Sequence, residues 1–265
     1  MRQKISLFLG RRRNWTLPYI LYLFVFVLIP TLLIFWYAFT NHEGRFSLGN
    51  FGKFLNQPQA MHTLLYSIMV AGITTIFCLL LGYPAAYILS RMKARVAGLL
   101  VMLFILPMWI NFLIRTLATV AFFDFLSLPL GRGALIFGMV YNFLPFMIYP
   151  IYNTLQKTDQ NLIEAAQDLG ATPVQVFIRT TLPLSLPGIA SGIIMVFMPV
   201  ISTFAIAELL TLNNVKLFGT VLQENIYYGM WNYGAALSLI MLLLVGLTSL
   251  LQTRNAKTNV EGNLI

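Results

Sequence analysis

This sequence predicts an all-α, polytopic membrane protein with six transmembrane helices, and three observations lead there. Of its 265 residues, 58% are hydrophobic and only 9% are charged, against about 25% charged in an average soluble domain. Six stretches are long and apolar enough to cross a bilayer: Leu17–Phe39, Leu64–Leu89, Ala97–Phe123, Ala134–Thr154, Gly188–Leu210 and Ala235–Leu251. The loops between them alternate in positive charge. A helical protein with an ordinary buried core would not place six such stretches between short polar loops.

Orientation follows from the cations, because loops retained in the cytoplasm are enriched in Lys and Arg. The N-terminal tail holds Arg2, Lys4, Arg11, Arg12 and Arg13. Arg91, Lys93 and Arg95 follow the second span, Lys157 and Arg179 the fourth, and Arg254 and Lys257 the sixth. The opposite side has Arg45, Lys53, Arg132 and Lys216, which makes twelve against four with Arg115 inside a span. Both termini are therefore expected in the cytoplasm. The expected organisation is a cytoplasmic tail over 1–16, a membrane domain over 17–252 with a cytoplasmic loop at 156–187, and a polar, frayed tail over 253–265. The net charge of +9 reads as a topology signal. It does not gather on one soluble face, so a nucleic-acid partner is excluded.

Taken in order, the first span follows a basic region, as a secretory signal would. Its apolar run is longer than the 7–15 residues of a signal core, and no A-x-A-like site follows Phe39, so it is expected to be retained. The outer loop 41–59 mixes glycines with aromatics and predicts a short surface helix around Asn50–Leu55. Cys78, the single cysteine, lies in the second span and excludes an intrachain disulfide. Proline interrupts the spans at Pro30, Pro84, Pro107, Pro145, Pro150 and Pro199. Each removes a backbone donor, and the freed carbonyl is tolerated only where protein or water meets it. Two readings stand: ordinary membrane-helix irregularity, or a shared path faced by Pro107, Pro145 and Pro199.

The loop between the fourth and fifth spans predicts two short helices at a sharp angle. Asp159 is a good N-cap, and Leu162, Ala165, Ala166 and Leu169 recur at helical spacing. Gly170 supplies a left-handed terminator. Thr172-Pro173-Val174-Gln175 reads as a capping box with proline at the first helical position. Val174, Phe177 and Ile178 give the second helix an apolar face, and Leu182-Pro183 and Leu186-Pro187 are expected to end the insert and return the chain to the membrane.

Glu164-Ala165-Ala166, three residues, Gly170, nine residues, position 180, one residue, Leu182-Pro183 resembles the EAA loop of bacterial ABC importer permeases. Thr180 departs from the isoleucine of that pattern. Further strings, Leu81-Gly82-Tyr83-Pro84-Ala85-Ala86-Tyr87, Leu106 to Arg115, Asn142-Phe143-Leu144-Pro145-Phe146-Met147 and Trp231-Asn232-Tyr233-Gly234-Ala235-Ala236, are similar to the B-type permease of spermidine/putrescine importers. This similarity runs from about Leu17 to Leu251. Met230 departs from the acidic residue expected before the tryptophan in many relatives. The resemblance implies a type I importer permease fold in the bacterial cytoplasmic membrane and passage of a polyamine. It also implies a heterodimer with a second, C-type permease, two ATPase subunits and an extracytoplasmic binding protein. Asp159, Glu164, Ala165, Ala166, Asp168, Gly170, Phe177, Leu182 and Pro183 would then couple to the ATPase. No cofactor is expected on this chain, with ATP and magnesium held in the ATPase.

A polyamine is an extended polycation, so its path needs carboxylates, carbonyls and aromatic faces. Candidates are Glu208 near the outer end of the fifth span, Asp124 and Glu224 near the outer face, and Asn111, Tyr141 and Asn142 within spans. An intramembrane acid is a functional candidate by default, although at the interface Glu208 reads equally as solvated. Arg115 costs roughly 2.5–3.5 kcal/mol to insert and repels a polycation. Alone it favours an importer of sulfate, molybdate or phosphonate; within the resemblance it reads as a structural charge.

No ATPase site is visible. Around Gly52-Lys53, the position five before Gly52 is Ser47 and Phe54 stands where a Ser or Thr would hold magnesium. His42 and His62 are isolated, no cluster has metal-ligand spacing, and no nucleophile or paired carboxylates support an enzyme. A secondary transporter would need its own coupling-ion site and would have no use for an ATPase-docking loop.

Overall fold

The computed structural model describes residues 16–261, except for the side chains of residues 17, 160 and 249–261. The basic cluster Arg2 to Arg13 and residues 262–265 lie outside the described residues, as do the side chains of Arg254 and Lys257. The chain divides into two compact units, one of residues 1–58 and 224–243, the other of residues 59–223 and 244–265.

In the first unit, α1 (Thr16–Leu23) runs through a π-helical turn at Phe24–Leu28 into α2 (Ile29–Ala38). Pro30 opens α2, and its missing donor is what a widened turn accommodates. The last carbonyls of α2 have no intrahelical donor, and two asparagines supply one. Asn232 Nδ2 donates to the carbonyls of Tyr37 (3.1 Å) and Thr40 (2.9 Å). Asn50 Nδ2 donates to those of Ala38 (3.1 Å) and Thr40 (3.0 Å). Asn50 lies on α3 (Gly49–Asn56), the surface helix expected around Asn50–Leu55. Asn232 opens α13 (Trp231–Glu261). Ala38, Ala235, Ala236 and Leu239 form the small core there, with Phe39 and Phe51 packed on it.

The second unit is built on α4 (Pro58–Arg91), α7 (Arg132–Lys157) and α10 (Leu182–Ser202). Small residues set how closely membrane helices pack. A Cβ on Gly188 would lie 2.9 Å from the Pro150 carbonyl oxygen, and one on Gly192 would lie 2.6 Å from Met147 Sδ. α10 therefore rests against the backbone of α7. Met147, Ile148 and Ile151 of α7 are fully buried, as are Val196 and Val200 of α10.

Among the described residues five helices are long and apolar enough to cross a membrane, and a bent pair makes six if counted as one span. That pair corrects the third span. α5 (Ala94–Ile105) and a 3-10 turn at Leu106–Trp109 meet α6 (Phe112–Phe125) at 95°. Pro107 tightens the end of the first half, Ile110 is extended, and Asn111 Oδ1 accepts from Leu113 N (2.8 Å) to cap a new helix. The fifth span is also corrected. α10 ends at Ser202, Thr203 is extended (ψ 147°), and Glu208 lies on a separate helix, α11 (Ala205–Thr211). The sixth helix runs past Leu251 to Glu261 instead of fraying at Thr253, since neither glycine nor proline occurs between Gly246 and Gly262 to stop it.

Candidate functional site

The loop after α7 folds as its residues dictate. Asp159 caps α8 (Gln160–Asp168), its side chain accepting from Asn161 N at 3.0 Å. Gly170 follows in the left-handed region (φ 82°). Thr172 and Gln175 complete a reciprocal capping box at α9 (Pro173–Val176), with bonds of 2.9 and 3.4 Å. The second helix is not short: α9 passes through a π-helical turn at Phe177–Thr181 straight into α10, so Leu182-Pro183 lies within a continuous helix. A proline in the first turn of a helix needs no donor, so Pro183 lets the widened turn continue as a helix.

This continuity joins the loop directly to α10. Phe177, half-buried, stands edge-on to Tyr83 (5.9 Å between ring centres) and Tyr87 (5.5 Å) of α4. Tyr83 Oη lies 3.1 Å from Ser185 Oγ, which itself donates to the Leu182 carbonyl (2.8 Å). Arg91 lies over the Tyr87 ring. Ile163 and Val176 are buried beneath the loop. Its outer surface exposes Leu162, Leu169, Val174 and Ile178, with Leu169 at 90%. Glu164, Ala165, Asp168 and Pro183 are exposed beside them, while Ala166 and Leu182 are half-buried. An exposed apolar patch rimmed by acids marks an interaction surface.

The membrane candidates are spread over several elements. Tyr141 lines a cleft of about 240 Å³ together with Arg115, Ala118, Thr119, Phe122 and Phe137. Asn142, its neighbour, points inward: it is 1% exposed, donates to the Gly138 carbonyl (2.8 Å), and leaves Oδ1 without a partner. Asn111 is an exposed cap, and Asp124 is exposed near the end of α6. Glu208 is half-buried on α11. Glu224, on α12 (Phe218–Tyr227), belongs to the other unit. Sequence reasoning missed Tyr83, Tyr87 and Ser185. The alternation of Tyr83 and Tyr87 at one helical turn was the available signal.

Residues 78–258 match the family described as the binding-protein-dependent transport system inner membrane component. The chain belongs to this family. The permease is 34% identical to the Escherichia coli K12 spermidine/putrescine transport system permease protein PotB, over 89% of this chain and 94% of that protein. It is 35% identical to the Haemophilus influenzae protein of the same name, covering 85% and 87% respectively. A chain of a bacterial ABC transporter involved in the import of the acidic polysaccharide alginate superposes with a TM-score of 0.72 at 17% identity, over 94% of this chain and 99% of that one. The MetNI methionine ABC transporter gives a TM-score of 0.62 at 18% identity, over 75% and 95%. At that identity these two show the fold. The permease is thus a multi-pass inner-membrane subunit of an ABC importer and works with further subunits of that transporter. It is a transport component, the ATPase of such importers being a separate subunit.

Proposed function

We propose that this permease forms half of a translocation path for di- and polyamines, spermidine and putrescine being the reference cargoes. The observation that carries this is identity of 34% sustained over 89% of the chain with a permease named for those substrates. In this reading both termini and the loop 156–187 face the cytoplasm, as the twelve-against-four division of cations supports. A second, C-type permease completes the pore, two ATPase subunits hold ATP and magnesium, and an extracytoplasmic binding protein delivers the cargo.

The loop supplies the coupling. α8 offers small Ala165 beside Leu162 and Leu169 for a groove, with Glu164 and Asp168 placed to meet basic groups. Motion of the docked ATPase reaches α10 through α9 without a hinge, and reaches α4 through Phe177 against Tyr83 and Tyr87. Glu208 supplies a carboxylate for an ammonium group near the outer gate.

The test is ATP turnover by the purified transporter with its binding protein. Spermidine or putrescine is expected to stimulate it, and sulfate and a sugar are not. Stimulation by sulfate alone would support the anion-importer reading that Arg115 favours.

A further inference from the structure

Arg115 is 8% exposed, yet its Nε and Nη1 have no hydrogen-bond partner. It enters no ion pair among the described residues. Asp124, the acid on its own helix, lies nine positions away, about 13 Å along the axis. The guanidinium instead borders the cleft shared with Thr119, Phe137 and Tyr141, whose rim residues Ala118, Phe122, Phe137 and Tyr141 are exposed. A buried cation without a partner is strongly destabilising, and its cost rises in hydrocarbon. We propose that this cleft is an anion site built into the membrane face of the permease, and that its occupant is a carboxylate side chain of the second membrane-spanning subunit. The inference rests on the two-permease part of the proposed function and not on the identity of the cargo.

The chemistry of the walls selects the ligand. A guanidinium fork matches a carboxylate in two parallel hydrogen bonds, and the Tyr141 hydroxyl adds a neutral donor. Aromatic walls exclude water, which strengthens the pair. Depth selects the source. Arg115 is ten residues from the end of α6 and Tyr141 nine from the start of α7, so both stand about 14–15 Å from the connecting loop. A hydrocarbon core is about 30 Å thick, which puts the cleft near its middle. A lipid phosphate sits at the interface and does not reach it, whereas a side chain on a neighbouring helix does. A polyamine is repelled by the cation, so the cleft belongs to a subunit seam and not to the cargo's route.

The experiment is affinity purification of the full transporter through a tag on this permease, with the second permease quantified in the eluate. Arg115→Gln is expected to lower its recovery at least tenfold, and Arg115→Lys, which keeps the charge but loses the fork, to fall between wild type and Arg115→Gln. Should the Gln variant fail to accumulate, Ala118→Trp fills the mouth of the cleft while leaving the guanidinium in place, and the same loss is expected. Wild-type recovery of the second permease with Arg115→Gln or Ala118→Trp overturns the inference alone. A wild-type transporter holding two copies of this chain overturns the two-permease reading and the seam with it. In phosphatidylcholine nanodiscs, assembly is expected to be independent of phosphatidylglycerol; a requirement for that lipid which Arg115→Gln abolishes makes the occupant a lipid phosphate and contradicts the proposal. Sulfate-stimulated ATP turnover lost in Arg115→Gln makes the cleft a cargo site and contradicts it as well.

Discussion

Phe177 stands edge-on to Tyr87, with ring centres 5.5 Å apart and planes at 86°. The two residues come from the loop's exit and from the end of the second span, ninety positions apart in sequence. Their contact joins the loop proposed to meet the ATPase directly to α4, a helix far from it along the chain. Together with the uninterrupted passage from α9 into α10, it gives the loop a grip on two membrane helices at once.

Phe177→Ala should therefore loosen that grip. Aromatic pairs of this kind are worth about 0.5–1.5 kcal/mol each beyond area burial, and the change removes two, so a loss of about 1–3 kcal/mol is expected. Transport should fall while ATP hydrolysis continues, raising the ATP consumed per molecule imported. An unchanged ratio in reconstituted vesicles would remove Phe177 from the coupling route.

Gly170 is tested through its backbone. A Cβ there meets nothing within 4 Å, so any penalty comes from φ 82° and not from crowding. Placing an ordinary L-residue in the left-handed region costs roughly 1–2 kcal/mol. Gly170→Val should lower recovery of the ATPase subunits or substrate-stimulated turnover, and Gly170→Asn, which tolerates that conformation, should be milder. Equal behaviour of the two variants would contradict the argument.

Gly188 fails for the opposite reason. A Cβ there would lie 2.6 Å from Thr154 Oγ1 and 2.9 Å from the Pro150 carbonyl, which is backbone and cannot step aside. Gly188→Leu should force α10 off α7 and cost about 1–3 kcal/mol or more through overpacking. Thermal unfolding of the purified transporter measures it; a midpoint unchanged from wild type would mean that α10 shifts freely.

Much of the loop was legible because its signals are local. Asp159, Gly170 and the Thr172–Gln175 box act within four residues of themselves, and each does what its side chain allows. The spans were legible from apolar length. The 95° bend was not: Pro107 announces a break, but the angle depends on what Asn111 caps and on what lies beyond. Nothing in Ser202-Thr203-Phe204 forbids a helix, so the end of α10 and the separate placement of Glu208 had no local sign. The length of the second loop helix was not legible either, since proline near a helix start is as compatible with continuation as with a boundary. The Phe177 contacts and the cleft at Arg115 are tertiary facts, set by which helix faces meet.

Glu208→Gln keeps shape and removes charge at the proposed outer gate. It should lower polyamine uptake several-fold and leave assembly intact. Wild-type uptake by this variant would dismiss Glu208 from the path without touching the rest of the proposal.

Uptake itself decides the matter. Vesicles holding this permease, its companion and the ATPase, with ATP on the ATPase side and binding protein on the other, are supplied with labelled spermidine or putrescine, and with sulfate and a sugar as controls. ATP-dependent accumulation of a polyamine and of neither control is the expected result. Accumulation of a control without any polyamine would contradict polyamine import by this permease.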